Sequence, residues 1–225
     1  MTAALSSVDQ TFANLPSGPL VLASASATRR GLLARAGFDV ICLPAHIDED
    51  SIRRAGAVQA VSPGDIAILL AEMKGQAVSQ SHELVPGQLV LAADQILEIE
   101  GDMLGKPASR DEAAEQLARL SGREHRLLTA AVMFRNGARI WHHLASNSLY
   151  VRSLTDSDID SYLDVVGEAA LWSPGSYQIE GAGLHLFNRI EGCHYTILGL
   201  PLVEITGFLR GHGLSLSPSL QVAGP

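Results

Sequence analysis

Short apolar runs alternate with helical patterns along the chain. Leu20 to Ala23 is the first run; Ser24-Ala25-Ser26 follows it, and a helical pattern then carries Leu32, Leu33 and Ala36 to a stop at Gly37. The expected order is strand, loop, helix. A second run, Val40 to Leu43, leads into His46-Ile47-Asp48-Glu49-Asp50. Pro63-Gly64-Asp65 then opens a helix with its apolar stripe expected at Ile66, Leu69, Leu70, Met73 and Ala77 and with Lys74 at the stripe's edge. Leu89 to Ala93 reads as a buried strand that Ile96 to Ile99 continues up to the Glu100-Gly101-Asp102 turn, so Asp94 interrupts an otherwise apolar strand. Ser109-Arg110-Asp111-Glu112 has the capping-box pattern, with Ala113, Leu117 and Leu120 on one helix face and Gly122 at the stop. Leu127 to Phe134 and Ile140 to Val151 flank an Asn136-Gly137 hairpin turn. Thr155-Asp156-Ser157-Asp158 starts another helix ending near Gly167, a glycine-rich loop runs from Trp172 to Gly183, and a last strand is expected over Leu184 to Ile190 before a helix beginning at Pro201. Mixed strands and helices without an internal repeat predict an α/β fold on one long, partly antiparallel sheet.

The 225 residues suit one large domain or two intimately joined lobes. Residues 1–18, closing on Pro16-Ser17-Gly18, and residues 211–225 read as flexible arms around a domain of residues 19–210. A hydrophobic share of 47% against 18% charged residues predicts a chain that buries a core unaided. Sixteen Lys and Arg against 24 Asp and Glu leave a net charge of −8, which excludes the broad basic field of a duplex-binding protein. A phosphate-bearing ligand therefore needs a locally basic pocket. No apolar run approaches the ~20 residues that span a bilayer. The N-terminus has no basic residue before Arg29, so neither a membrane span nor a secretory signal is expected and the reading is cytoplasmic. Cys42 and Cys193 lack CxxC spacing and read as reduced, buried thiols.

Three groups of residues could carry chemistry. Ser24-Ala25-Ser26-Ala27-Thr28-Arg29-Arg30 lies where a strand ends and a helix begins, so backbone amides, hydroxyls and Arg29 could cradle a phosphate. Spacing alone leaves open whether Ser26 or Thr28 merely caps the helix beside two solvated arginines; the GxxxxGK[ST] spacing of a Walker loop is absent. Asp94 is a carboxylate among apolar neighbours, and its burial is costly unless a metal, a cation or hydrogen bonds compensate; a strand-end Asp capping a turn is the plainer alternative. Asp48-Glu49-Asp50 could supply oxygens to a hard cation or form a solvated loop, and Lys106, after a turn, is equally open. The eight histidines show no ligand spacing, and the aromatics do not alternate with basic residues as in a single-strand nucleic-acid platform.

Together these segments resemble the Maf family of nucleotide pyrophosphatases from about residue 20 to 210. The resemblance is carried, in order, by LVLASASATRRGLLARAG, HIDED, LAEMKGQAV, LVLAADQILEIEGDMLGKP, LARLSGREHRLLTA, GSYQIEGAGLHLFNRIEG and LGLPLVEI. It implies an elongated mixed sheet flanked by helices, with two lobes around a central cleft. It also implies hydrolysis of a nucleoside triphosphate to monophosphate and pyrophosphate in nucleotide-pool housekeeping, a divalent cation (magnesium or manganese), and a homodimer. By the resemblance Asp94 is the proton acceptor for the attacking water, Ser24, Arg29, Lys74 and Lys106 face phosphate, and Glu49 joins Asp94 at the metal. Ala27 stands where the family usually has proline. Thr28, Gln95 and Glu180 occupy positions that separate substrate subgroups: Asp94-Gln95 and Glu180 resemble the subgroup acting on 7-methyl-GTP, whereas that subgroup usually has Trp where Thr28 stands. The alternatives are a dTTP/UTP-type pyrophosphatase and a nucleotide-binding regulator of septum formation with little hydrolysis.

Overall fold

The computed structural model describes residues 13–216. In chain order its elements are β1 (Ala13–Asn14), β2 (Leu20–Leu22), α1 (Ala27–Arg35), β3 (Val40–Cys42), α2 (Glu49–Val58), α3 (Pro63–Ser79), β4 (Leu89–Ile99) and β5 (Asp102–Leu104). There follow α4 (Arg110–Leu120), β6 (Glu124–Arg135), β7 (Ala138–Val151), α5 (Asp156–Val166), β8 (Phe187–Glu191), α6 (His194–Ile197), α7 (Leu202–Arg210) and β9 (Ser215–Leu216). A mixed sheet in the order β3-β2-β4-β6-β7-β8, with β5 on β4, carries the domain. β2 is parallel to β3 and β4, and the remaining pairs are antiparallel.

β4 is the central strand, and every residue of it but Gln95 is buried. Its alternation assigns each face to different helices. Leu89, Leu91 and Ala93 pack with α1 and α7, while Val90, Ala92 and Ile96 pack with α3. Beyond Gln95, Leu97 and Ile99 join a third apolar cluster with α4 and α5. The β6–β7 hairpin turns through Asn136 at φ 52° and Gly137 at φ 77°, both left-handed as an Asn-Gly type I′ turn requires. Thr155 forms a full capping box with Asp158, while at Ser109 half of the box is made and the Glu112 carboxylate accepts from Ala108 N–H instead.

Several expectations are corrected. On α3 the buried stripe is Ile66, Ala67, Leu70, Ala71, Lys74, Gly75 and Val78; Leu69, Met73 and Ala77 face outward, and Lys74 lies within the stripe. The cause is the close approach of α3 to β4 and β6, where Ala67, Ala71 and Gly75 take inward positions between Ile66, Leu70 and Val78 and turn Leu69 and Met73 outward. Asp48-Glu49-Asp50 opens α2, with Asp48 as its N-cap. The last strand begins at Phe187, because residues 182–186 turn as a 3-10 helix. Ala13–Asn14 and Ser215–Leu216, placed in the two arms, pair with each other in an antiparallel ladder. Residues 1–12 and 217–225 of the arms lie outside the described residues. Among the described residues no helix is long and apolar enough to cross a membrane.

Gly75 shows how tightly α3 sits. A Cβ there would come within 2.6 Å of the Phe134 ring, itself 3% exposed. Alanine gains about 1 kcal/mol of helix propensity over glycine, but overpacking a closed core costs about 1–3 kcal/mol. Gly75→Ala is therefore expected to lower Tm by a few degrees in thermal denaturation; a rise in Tm would show that the α3–β6 contact yields freely.

Candidate active site

The site lies at a gap in the sheet. β2 pairs with β4 only as far as Leu91, and β5 begins pairing at Leu97, so one edge of β4 is free of strand between them. Side chains fill the gap. Arg29, from the first turn of α1, donates through Nη1 to Ala93 O at 2.8 Å and through Nε to Gly199 O at 3.0 Å. It thereby satisfies a strand carbonyl that has no ladder partner and ties the loop after α6 to the sheet. Burial lowers the Arg29 pKa, opposed by the negative charges of Asp94 and Glu49. Ser26 caps α1 by accepting from Arg29 N–H, and Ser24 Oγ accepts from Ser26 N–H. Arg30 is exposed, so only one of the two arginines is solvated.

Asp94 is 3% exposed on the α3 face of β4. Lys74 Nζ donates to its Oδ1 at 2.6 Å and also lies 2.7 Å from Glu49 Oε1. Arg53, one helical turn beyond Glu49 on α2, donates to Glu49 Oε2 at 2.9 Å and stands 3.5 Å from Asp94 Oδ2. Asp94 Oδ2 is buried and, among the described residues, accepts no hydrogen bond. Burial raises the Glu49 pKa, but the hydrogen bond and charge of Lys74, with those of Arg53, outweigh it and hold the carboxyl below its ordinary value. Two cations and two carboxylates thus neutralise one another around one orphaned oxygen.

These groups border a cavity of about 660 Å³, large enough for a nucleotide. Ser24, Thr28, Arg29, Glu49, Lys74, Asp94, Gln95, Lys106 and Glu180 all line it, as does Arg53. Lys74 and Lys106 are the only lysines in the chain, and both are here. Gln95 is clamped: Nε2 donates to Thr129 Oγ1 at 2.8 Å and to the carbonyls of Thr196 and Ile197 at 3.1 Å. Carbonyl oxygens only accept, so the amide nitrogen must face them, leaving Oε1 as the atom free to meet a ligand.

The far wall is the segment 172–180, which carries Glu180 at an exposed position. Buried Gln116 of α4 accepts from Gly175 N–H at 2.9 Å and donates to Gly105 O at 3.0 Å, linking this wall to the loop of Lys106. Behind it His125 Nε2 shares a 2.7 Å hydrogen bond with Tyr177 Oη. Burial lowers the His125 pKa to about 4 and raises that of Tyr177, so both are neutral near pH 7.

The sequence profile of the Maf-like proteins matches residues 19–212. The chain belongs to the Maf family. Among relatives, a protein named nucleoside triphosphate pyrophosphatase from Rhodopseudomonas palustris is 49% identical over 196 residues, 87% of this chain and 95% of that one. Proteins of the same name from Nitrobacter winogradskyi and Granulibacter bethesdensis are 43% and 38% identical over 88% and 86% of this chain, covering 96% of each relative.

In this Maf protein the sequence reading missed Arg53, Gln116 and His125. Arg53 was hidden because α2 was not foreseen, and with it the i, i+4 spacing from Glu49. Gln116 and His125 occupy positions where a polar residue interrupts an apolar face, the same signal that exposed Asp94. His125 also sets a pH dependence. Its proton affinity is depressed on folding, so its stabilising contribution is complete above about pH 6.5 and is lost as pH falls toward 4. From that difference urea denaturation should lose about 3 kcal/mol across this window. His125→Gln should flatten this part of the curve, and an unchanged slope would remove His125 as the cause.

Proposed function

We propose that this protein hydrolyses a nucleoside triphosphate to the monophosphate and pyrophosphate, and that its preferred base is a guanine of the 7-methyl-GTP kind. The observation that carries the reaction is Asp94: a buried carboxylate with one oxygen held by Lys74 and the other free of hydrogen bonds among the described residues, bordered by Arg29, Arg53, Lys74 and Lys106 in a chain of net charge −8. The names of the relatives support the same class of reaction.

A triphosphate carries about four negative charges, and these cations neutralise it so that water can approach the α-phosphorus. Asp94 Oδ2 accepts a proton from that water as its oxygen bonds to the α-phosphorus, and the α–β anhydride bond breaks with its electron pair going to pyrophosphate. The N–H groups of Ala27 and Thr28 at the start of α1 and the Ser24 hydroxyl can donate to phosphate oxygens, the Arg29 N–H being taken by Ser26. The orphaned Asp94 oxygen and the adjacent Glu49 carboxylate also suit magnesium or manganese, which binds through one or two carboxylates plus substrate phosphates. Such a cation supplies further neutralisation of the phosphate chain.

The base reading rests on acceptors. Gln95 has only Oε1 to offer, and Glu180 offers a carboxylate. The guanine edge presents N1–H and the N2 amine as donors, and a methylated ring adds a positive charge for Glu180 to complement. Uracil and thymine present two carbonyls around one N–H, which meets these acceptors poorly.

Asp94→Asn is expected to lower pyrophosphate release by about 100-fold or more while nucleotide binding stays within a few-fold. Retention of most of the rate would exclude Asp94 as the base, and tight binding without release in the unaltered protein would favour a regulator. Glu180→Gln is expected to reduce the kcat/KM ratio of 7-methyl-GTP over UTP by about tenfold. An unaltered ratio would take Glu180 out of base selection.

A further inference from the structure

We infer that Trp172 is the ring on which the nucleotide base stacks, an assignment that rests on the nucleotide substrate proposed above. A base needs a flat, apolar surface as well as edge contacts, and among the described residues only two aromatic rings, those of Trp172 and Tyr177, line the cavity. Tyr177 is committed. It is 6% exposed, its hydroxyl is bonded to His125, and Phe187 packs on it edge-on with centroids 4.9 Å apart.

Trp172 is the opposite case. It is 64% exposed, although tryptophan is highly buried on average, and among the described residues no ring packs against it. The other tryptophan, Trp141, stacks on Phe208 at 5.3 Å. The exposed ring nevertheless stands on a fixed base. Trp172 N–H donates to Ala169 O at 3.2 Å, Ser173 Oγ to Tyr177 O at 2.8 Å, and Gly175 N–H to Gln116 at 2.9 Å. These bonds hold the backbone that carries the ring, so binding has only the side-chain torsions of Trp172 left to fix. The same anchored segment carries Glu180, so one loop offers a face for the base and an acceptor for its edge. Stacking is sequence-tolerant, because every base has a π-face, whereas an indole adds cation–π attraction only for a positively charged ring such as 7-methylguanine. Trp172 therefore grips any base and grips the methylated one harder.

The test is tryptophan emission. The chain has two tryptophans, so a Trp141→Phe protein reports Trp172 alone. Titration with 7-methyl-GMP, GMP and UMP is expected to quench it saturably, with 7-methyl-GMP acting at the lowest concentration. In parallel, Trp172→Ala should raise KM for the preferred triphosphate about tenfold with kcat nearly unchanged, and Trp172→Phe should stay within about threefold of the unaltered protein. If Trp141→Phe fails to fold, loss of the quenched component in Trp172→Phe gives the same answer. Equal quenching by all three nucleotides would sustain the stack and refute the base preference. Quenching without pyrophosphate release from any triphosphate would sustain the stack and refute the reaction. No quenching by nucleotides that the enzyme turns over, or an unchanged KM in Trp172→Ala, would overturn the assignment.

Discussion

The site depends on one constraint: a carboxylate in the middle of a strand that is buried on both faces. An isolated charge there costs several kcal/mol, so Asp94 must be compensated by the chain around it. Lys74 supplies most of that compensation from α3, and it can do so only because Gly75, Ala71 and Ala67 let the helix lie close on the sheet. Glu49 and Arg53 on α2 complete the set, and Arg29 answers the strand's unpaired backbone. The gap between β2 and β5 makes this arrangement possible. Pairing along the whole of β4 would have closed the edge through which a ligand reaches Asp94.

Much of this was legible beforehand because each signal was a violation of a local rule. Asp94 stood out as a charge in an apolar strand, and the ends of α1, α4 and α5 were marked by capping residues whose side chains accept as expected. What escaped depends on tertiary distance. The outward turn of Leu69 and Met73 cannot be read from periodicity, since a stripe through them is as apolar as the true one. α2 has no buried residue to set a period, and its helix is held by its N-cap and by side-chain ion pairs. The β1–β9 pair joins segments more than 200 residues apart along the chain, which no local pattern encodes.

The two ends of the cavity are built differently. The wall from Trp172 to Glu180 is braced by buried Gln116, His125 and Tyr162, so its positions are fixed by a connected set of hydrogen bonds. The opposite side carries Glu49 and Arg53 on a helix whose residues are all at least partly exposed. Recognition of a base requires fixed edges and faces. Handling of a phosphate chain requires cations that can exchange one partner for another, and an exposed helix restrains such an exchange less than a packed one.

The resting charge balance has a consequence for selectivity on the proposed reading. Lys74 and Arg53 are already paired with Glu49 and Asp94, so a phosphate chain must replace existing ion pairs and gains only the difference. Lys106 is the exposed lysine of the pair and Arg29 is engaged with backbone carbonyls, which leaves few cations fully uncommitted. Inorganic phosphate or pyrophosphate, having no base, therefore competes with little beyond that difference. A nucleotide adds contacts at the braced wall, where neither charge nor backbone is displaced. Discrimination among polyanions in an acidic protein then falls to the base, and the phosphate groups decide the chemistry once the base has been held.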